Sequence, residues 1–171
     1  LIKKNIYLIF STNSEIGKNK WFIDNKFISD EKKLTLKIRP GIYTLKVENK
    51  FYKTKSLDLN LLENTYKENY NLNLERLEGT ININTVPGGV TLNIDGKEVG
   101  KSPINYKLPA GNYELKLFKK GYQPVSEKIE ISSANLNFGK KFILSPDIVS
   151  VNLKLKPSNG KLFINGNLYN Q

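Results

Sequence analysis

Apolar residues recur at every second position along this chain, in short runs broken by Gly, Pro, Asn and Asp. Side chains of a strand point alternately to its two faces, so such runs read as strands with one buried face. Val90, Leu92 and Ile94 share one face, and Tyr113, Leu115 and Leu117 resume the alternation further on. Between them, Asp95-Gly96 suits the two-residue loop of a type I′ hairpin, and Gly100, Pro103, Pro109, Gly111 and Gly121 supply further turn signals. Strands are predicted at 80–85, 90–94, 104–108, 113–118, 125–131 and 140–144. An earlier set is predicted at 5–12, 20–24, 34–38, 42–48, 53–59 and 66–74. Helical periodicity is nearly absent, with one turn predicted at 58–65. Short strands bounded by turn residues argue for an all-β fold built from small antiparallel sandwiches.

The pattern repeats at a spacing of about 70 residues. Ile94-Asp95-Gly96 is answered by Ile23-Asp24-Asn25 before it and by Ile164-Asn165-Gly166 after it. Pro40-Gly41-Ile42-Tyr43 matches Ala110-Gly111-Asn112-Tyr113, and Pro157 matches Pro87. Asp24, Asn25, Asp95, Gly96, Asn165 and Gly166 are all types that tolerate positive φ. Gly41 and Gly111 are expected to define turns in the same way. Three units are predicted, at 1–76, 77–146 and 147–171, the last incomplete. In that last unit Val151, Leu153 and Leu155 are expected to form a hairpin with Leu162 and Ile164 across a turn at 157–160. The joints at 76–78 and 145–147 are short and neither is Gly/Ser-rich, so the units are expected to form a semi-rigid rod with Leu77 and Ile148 as contacts.

In the middle unit, Leu92-x-Ile94-Asp95-Gly96, Gly100-Lys101-Ser102-Pro103, Leu108-Pro109-Ala110-Gly111-x-Tyr113 and Lys119-x-Gly121-Tyr122 follow in order between positions 92 and 122. This segment resembles a PEGA domain. The signature tetrapeptide is half kept, Pro87-Gly88-Gly89-Val90 standing where Pro-Glu-Gly-Ala is expected. The resemblance implies a small β-sandwich module of bacterial or archaeal surface and envelope proteins, without catalysis. An extracytoplasmic location, in the periplasm or at the cell surface, is expected on that resemblance alone.

Charge and composition narrow the function. The net charge of +11 is spread as +6 over residues 1–76, +3 over 77–146 and +2 over 147–171. All the basic residues are Lys except Arg39 and Arg76, and 22 Asn accompany them. Nucleic-acid readers gather charge on one face and favour Arg for bidentate contacts, so no specific nucleic acid is expected. Lysines on strands also blunt edge pairing. With neither His nor Cys, the commonest catalytic base, the thiol nucleophile and the thiolate metal sites are missing together. No cofactor or metal is expected. No run approaches the roughly 20 apolar residues of a spanning helix. The start, Leu1-Ile2-Lys3-Lys4 before residues 6–10, has the outline of a signal peptide but too short an apolar run and no cleavage site. It reads as a first strand, and the lack of any Met suggests a processed or trimmed piece.

Candidate chemistry is thin. Asp24 and Asp95 sit in the turns of different units, which argues for a role in the turn rather than a carboxylate pair. Gly88-Gly89 is followed by neither a helix nor the residues of a phosphate loop. Outward aromatics are more informative. If Trp21 and Ile23 face inward, Phe22 faces out, and Phe163 does so by the same parity, where the middle unit has Asn93. Tyr7 and Ile9 form an outward apolar face on the first strand, where the middle unit carries Asn82 and Asn84. Phe22, Phe163, Tyr7 and Ile9 are therefore the interaction candidates. The favoured function is a non-catalytic rod of the cell envelope, docking envelope proteins or self-associating through edge strands. The alternative is a glycan-binding module using Trp21, Tyr52 or Tyr122 against sugar rings.

Overall fold

The computed structural model describes residues 5–63, 66–154 and 160–169. The first seven strands are β1 (Ile6–Thr12), β2 (Lys20–Ile23), β3 (Lys26–Ser29), β4 (Leu34–Ile38), β5 (Gly41–Asn49), β6 (Tyr52–Leu61) and β7 (Lys67–Leu72). They form two sheets, in the orders β4-β1-β7 and β3-β2-β5-β6. The next seven are β8 (Glu78–Val86), β9 (Thr91–Ile94), β10 (Lys97–Lys101), β11 (Ile104–Pro109), β12 (Gly111–Phe118), β13 (Val125–Ile131) and β14 (Asn137–Ile143). Their sheets, β11-β8-β14 and β10-β9-β12-β13, repeat the same order strand for strand. The fold is all-β, as the alternation predicts, and among the described residues no helix is found.

Three features depart from expectation. The sheets are not wholly antiparallel: β1 pairs parallel with β7, and β8 with β14. The chain therefore enters and leaves each unit at opposite ends of one sheet. Second, β3 and β10 complete the hairpins as short, solvated edge strands, and β10 carries an irregularity between Glu98 and Gly100. Third, β6 runs through Leu61, so an extended strand occupies the start of the turn expected at 58–65. There the strand is held along its length by pairing with β5 from Gly41↔Leu61 to Asn49↔Tyr52.

Alternation decides the core. Ile6, Leu8 and Phe10 of β1, Trp21 of β2, and Leu45 and Val47 of β5 bury their side chains between the sheets of the first unit. Ile81, Ile83, Leu92, Leu115 and Leu117 do the same in the second. Trp21 is fully buried and its indole N–H donates to the Glu31 carbonyl at 2.8 Å, which satisfies its one polar atom. A last hairpin joins β15 (Leu162–Ile164) to β16 (Asn167–Tyr169). It turns at Asn165-Gly166, and its register, Ile164↔Asn167, matches Ile94↔Lys97 and Ile23↔Lys26. It is thus not the pairing across 157–160 that the alternation suggested. Residues 151–154 are not in a strand, and Leu155 and Pro157 lie outside the described residues.

Candidate interaction surfaces

The hairpin turns do more than reverse the chain. Asp24, Asn25, Asp95 and Asn165 all have positive φ, as do Gly96 and Gly166, the geometry of a type I′ turn. The Asp24 carboxylate accepts the Thr44 N–H at 2.8 Å while the Asp24 N–H donates to the Thr44 carbonyl at 2.9 Å. Asp95 holds Glu114 identically, at 2.8 and 3.0 Å. Each aspartate therefore ties its hairpin to the third strand of the sheet, rather than to its own turn.

Gly41 and Gly111 correct the expectation placed on them. Neither has positive φ; each opens a strand. A Cβ on Gly111 would stand 3.3 Å from the Tyr113 hydroxyl and 3.0 Å from an Arg76 guanidinium nitrogen, and one on Gly41 would stand 3.2 Å from the Tyr43 ring. The glycine makes room for a tyrosine ring laid back across it. The Tyr43 hydroxyl donates to the Arg39 carbonyl at 3.2 Å, and that of Tyr113 donates to the Pro109 carbonyl at 2.5 Å. Desolvation raises the Tyr113 pKa above its usual value, and the nearby Arg76 charge works against the rise.

This corner forms one jaw of the joint between the first two units. Arg76 and Leu77 run between the β5–β6 turn and the β11–β12 turn. The Leu77 N–H donates to the Phe51 carbonyl at 2.9 Å, and the Leu77 carbonyl accepts from the Ala110 N–H at 2.7 Å. Arg76 reaches on to the Ala110 carbonyl with Nε at 2.8 Å. Outside this strand-like link, the Ser133 N–H donates to the Lys50 carbonyl at 2.8 Å and the Lys50 ammonium meets Glu130 at 2.6 Å. That hydrogen bond holds the Glu130 carboxyl below the ordinary range. Leu77 is half-buried against the core, as a joint residue should be. Ile148, expected to serve the second joint, is 81% exposed. Sequence reading weighed Tyr52 only against sugar rings and did not assign Phe51, Ala110 or Glu130 to the joint; their only signal was position near a predicted turn. Beside the joint lies an open recess of about 540 Å³, lined by Lys18, Lys20, Asn49, Lys50, Tyr52 and Ser133 among others.

The four interaction candidates are placed separately. Phe22 is half-buried on the outer face of its sheet, with Phe27 set edge-on at 5.8 Å and the Lys46 ammonium 4.5 Å over its ring. Phe27 itself is 54% exposed, so the pair is an open aromatic step. Phe163 is exposed opposite Leu168 on the last hairpin. Tyr7 is exposed and lies 6.2 Å from the Tyr66 ring, on the other sheet of the first unit, with half-buried Ile9 on the same face. Tyr70 faces inward instead, stacked on Phe10 at 5.1 Å. Burial, with its hydrogen bond to Glu68, pushes its pKa up to about 12.

Residues 78–143, the strands from β8 through β14, match the family model of the PEGA domain. The second unit is a PEGA domain. The chain is similar in structure to the Bacillus anthracis TIE protein, at 19% identity and a TM-score of 0.52, over 84% of this chain and 34% of that one. It spans about a third of that protein's length. GBS52, the minor pilin of Streptococcus agalactiae, aligns at 11% identity and a TM-score of 0.33, over 88% of this chain and 100% of that one. BcpA, the major pilin subunit of Bacillus cereus, aligns at 14% identity and a TM-score of 0.29, over 82% and 57%. Of these three, the TIE protein alone bears on the fold. No curated protein matches the chain.

Proposed function

We propose that the chain is a non-catalytic structural and docking module of the bacterial cell envelope, with serial units acting as spacers within a surface or periplasmic assembly. A scaffold or collar of an envelope-spanning machine is the kind of setting it suits. The observation that carries the reading is the joint. A linker hydrogen-bonded on both sides, flanked by the Lys50–Glu130 pair, fixes one unit against the next instead of tethering it. The buried amides Asn19 and Asn49 spend their hydrogen bonds on each other and on the loops around them, and Asp95 spends its carboxylate on the backbone of β12. The match to the PEGA domain supports the envelope setting that the resemblance implies. Among the described residues no helix is long and apolar enough to cross a membrane.

Glycan binding is the second reading. The recess beside Lys18, Lys20 and Lys50 favours it, although Lys18 and Lys50 are already paired with Asp30 and Glu130. Two of the three aromatics first considered for it, Trp21 and Tyr52, are buried. Capture of envelope proteins by the whole chain, run beside a glycan-binding assay, separates the two. Retention of a discrete envelope protein, with no glycan bound, is the expected result. Saturable glycan binding lost on changing Lys20 would overturn it.

A further inference from the structure

The first joint has two halves, and the half contributed by the first unit recurs at the far end of the PEGA domain. Lys53 N–H to Glu75 carbonyl, 2.8 Å, becomes Gln123 N–H to Ser145 carbonyl, 2.9 Å. Leu77 N–H to Phe51 carbonyl, 2.9 Å, becomes Asp147 N–H to Gly121 carbonyl, 2.9 Å. The isolated bridge between Tyr52 and Arg76 becomes one between Tyr122 and Pro146. Every residue has moved by 70 positions. Residues 145–147 thus leave the PEGA domain along the path by which residues 75–77 leave the first unit, and Lys120 stands exposed where Lys50 meets Glu130.

The opposite end of the first unit is chemically different. Pro40 stands in the position of Ala110, so the N–H that grips the Leu77 carbonyl has no counterpart. Asn60, paired with Ile42, stands in the position of Glu130, paired with Asn112, so the carboxylate is missing too.

We propose that Lys120, Gly121 and Asp147 form a docking end for a further unit of the same fold, fed by residues 145–147, and that the first unit is closed to this mode of docking at its other end. The incoming unit grips as the PEGA domain grips the first: an N–H from its β-turn to the Asp147 carbonyl, a carboxylate to Lys120 and an N–H to the Lys120 carbonyl. The guanidinium contact is not repeated, because Pro146 replaces Arg76. Serial units that contact only their neighbours propagate one interface and stop at a chemically altered cap. The inference deepens the spacer reading above and rests on it.

The test lengthens the whole chain by a second copy of residues 102–146 placed after Gln171, which lies 70 positions after Lys101, so that the copy enters in register. NMR relaxation is expected to show the added unit tumbling with the PEGA domain as one body. Lys120→Glu should separate their tumbling times, and Glu130→Lys in the copy alone should restore them. A folded copy that tumbles independently, a copy that stays unfolded, or indifference to Lys120→Glu each overturns the proposal. In the chain at its present length, Lys50→Glu should loosen the first joint and Glu130→Lys should restore it; no change there would remove the clamp on which the inference is built. Envelope capture reads the spacer role separately, so the two can fail independently.

Discussion

The first unit and the PEGA domain share one strand order but close the same loop with different chemistry. In the PEGA domain the loop after β8 is four residues, Pro87–Val90, with Val90 buried in the core. Thr85 and Ser102 hydroxyls bond each other, Ser102 Oγ accepts the Val90 N–H at 3.0 Å, and Lys119 caps the Gly88 carbonyl. In the first unit the loop after β1 runs through residues 13–19, and buried Asn19 takes the place of Val90. Asn19 donates to Thr12 and Lys32, and its Oδ1 accepts from Ser14 and from Asn49, at 2.9–3.3 Å. Asn49, standing where the PEGA domain has Lys119, also donates to the Ile16 carbonyl and accepts the Phe51 N–H, both at 3.0 Å. The topology is indifferent to whether this corner is plugged by a hydrocarbon or by a satisfied amide network. The signature tetrapeptide at Pro87–Val90 sits on the corner that changed, whereas the aspartate turn and the Gly-x-Tyr corner are kept in both units.

The comparison is sharpest at Gly79. A Cβ there would lie 2.3 Å from Ile131 Cγ2 and 2.6 Å from the Leu136 carbonyl oxygen, which is backbone and cannot step aside. Gly79 pairs with Leu108 as Ile6 pairs with Ile38, so the first unit carries an isoleucine at the position where the second forbids a methyl. Gly79→Ala is expected to cost about 3 kcal/mol or more, as overpacking against fixed backbone does. Ile6→Ala should instead cost about 2–4 kcal/mol by leaving a cavity. Thermal melts and amide exchange resolved by unit check both, and an unperturbed β8–β14 ladder in Gly79→Ala would break the distinction.

The loop chemistry comes next. Asn49→Leu leaves the Ile16 carbonyl, the Phe51 N–H and the Asn19 amide short of partners in a buried place, at about 2–3 kcal/mol. Lys119→Leu in the PEGA domain removes one exposed cap and should stay under about 1 kcal/mol. Equal losses in denaturant unfolding would mean that the amide network is no more than another cap.

The tyrosine corners are where the units should agree. Tyr43→Phe and Tyr113→Phe each remove one hydroxyl donor, for about 0.5–1.5 kcal/mol. A clear excess for Tyr113 would assign extra weight to Arg76, which shares its corner and belongs to the joint.

The smallest effect concerns pH. Glu130 has its pKa lowered by the Lys50 hydrogen bond, so the pair contributes above the ordinary carboxylate pKa and is lost as pH falls through the lowered value. Both side chains are about half exposed, so the loss should be no more than about 1 kcal/mol. Chemical shifts of Ser133 and Lys50 followed through acid titration, with Glu130→Gln as the pH-independent control, check it.

Much of this fold was legible in the sequence because alternation is local. The buried faces of β1, β2, β5, β8, β9 and β12, and the positive-φ turns at Asp24-Asn25, Asp95-Gly96 and Asn165-Gly166, follow from residue types alone. The edge strands β3 and β10 escaped because Lys26–Ser29 and Lys97–Lys101 bury no side chain fully and give no period to read. Parallel pairing of first and last strands is a contact between residues about 60 apart, and no local pattern encodes it. Gly41 and Gly111 were found for the wrong reason: they accommodate a ring, not a backbone angle. Gly79 was passed over, although glycine inside a strand is itself a sign of close approach. At the surfaces, parity placed Phe22, Tyr7 and Ile9 on outer faces; on the last hairpin Ile164 is exposed as well as Phe163, so parity marks no buried face there, and the joint needed Phe51, Ala110 and Glu130 brought together from three separate turns and strands.

The parallel pairing has a mechanical side. In each unit the first and last strands lie next to each other and point the same way, so tension applied along the chain pulls them in opposite directions along their common length. The rungs between Tyr7 and Thr12 and their partners Lys67 to Leu72 are then loaded together, in shear, instead of being opened one after another like a zip. The PEGA domain meets the same load with the ladder from Thr80 to Val86 against Asn137 to Ile143. A chain wired this way carries tension through its strand ladders first, and gives up length only when a whole ladder slips.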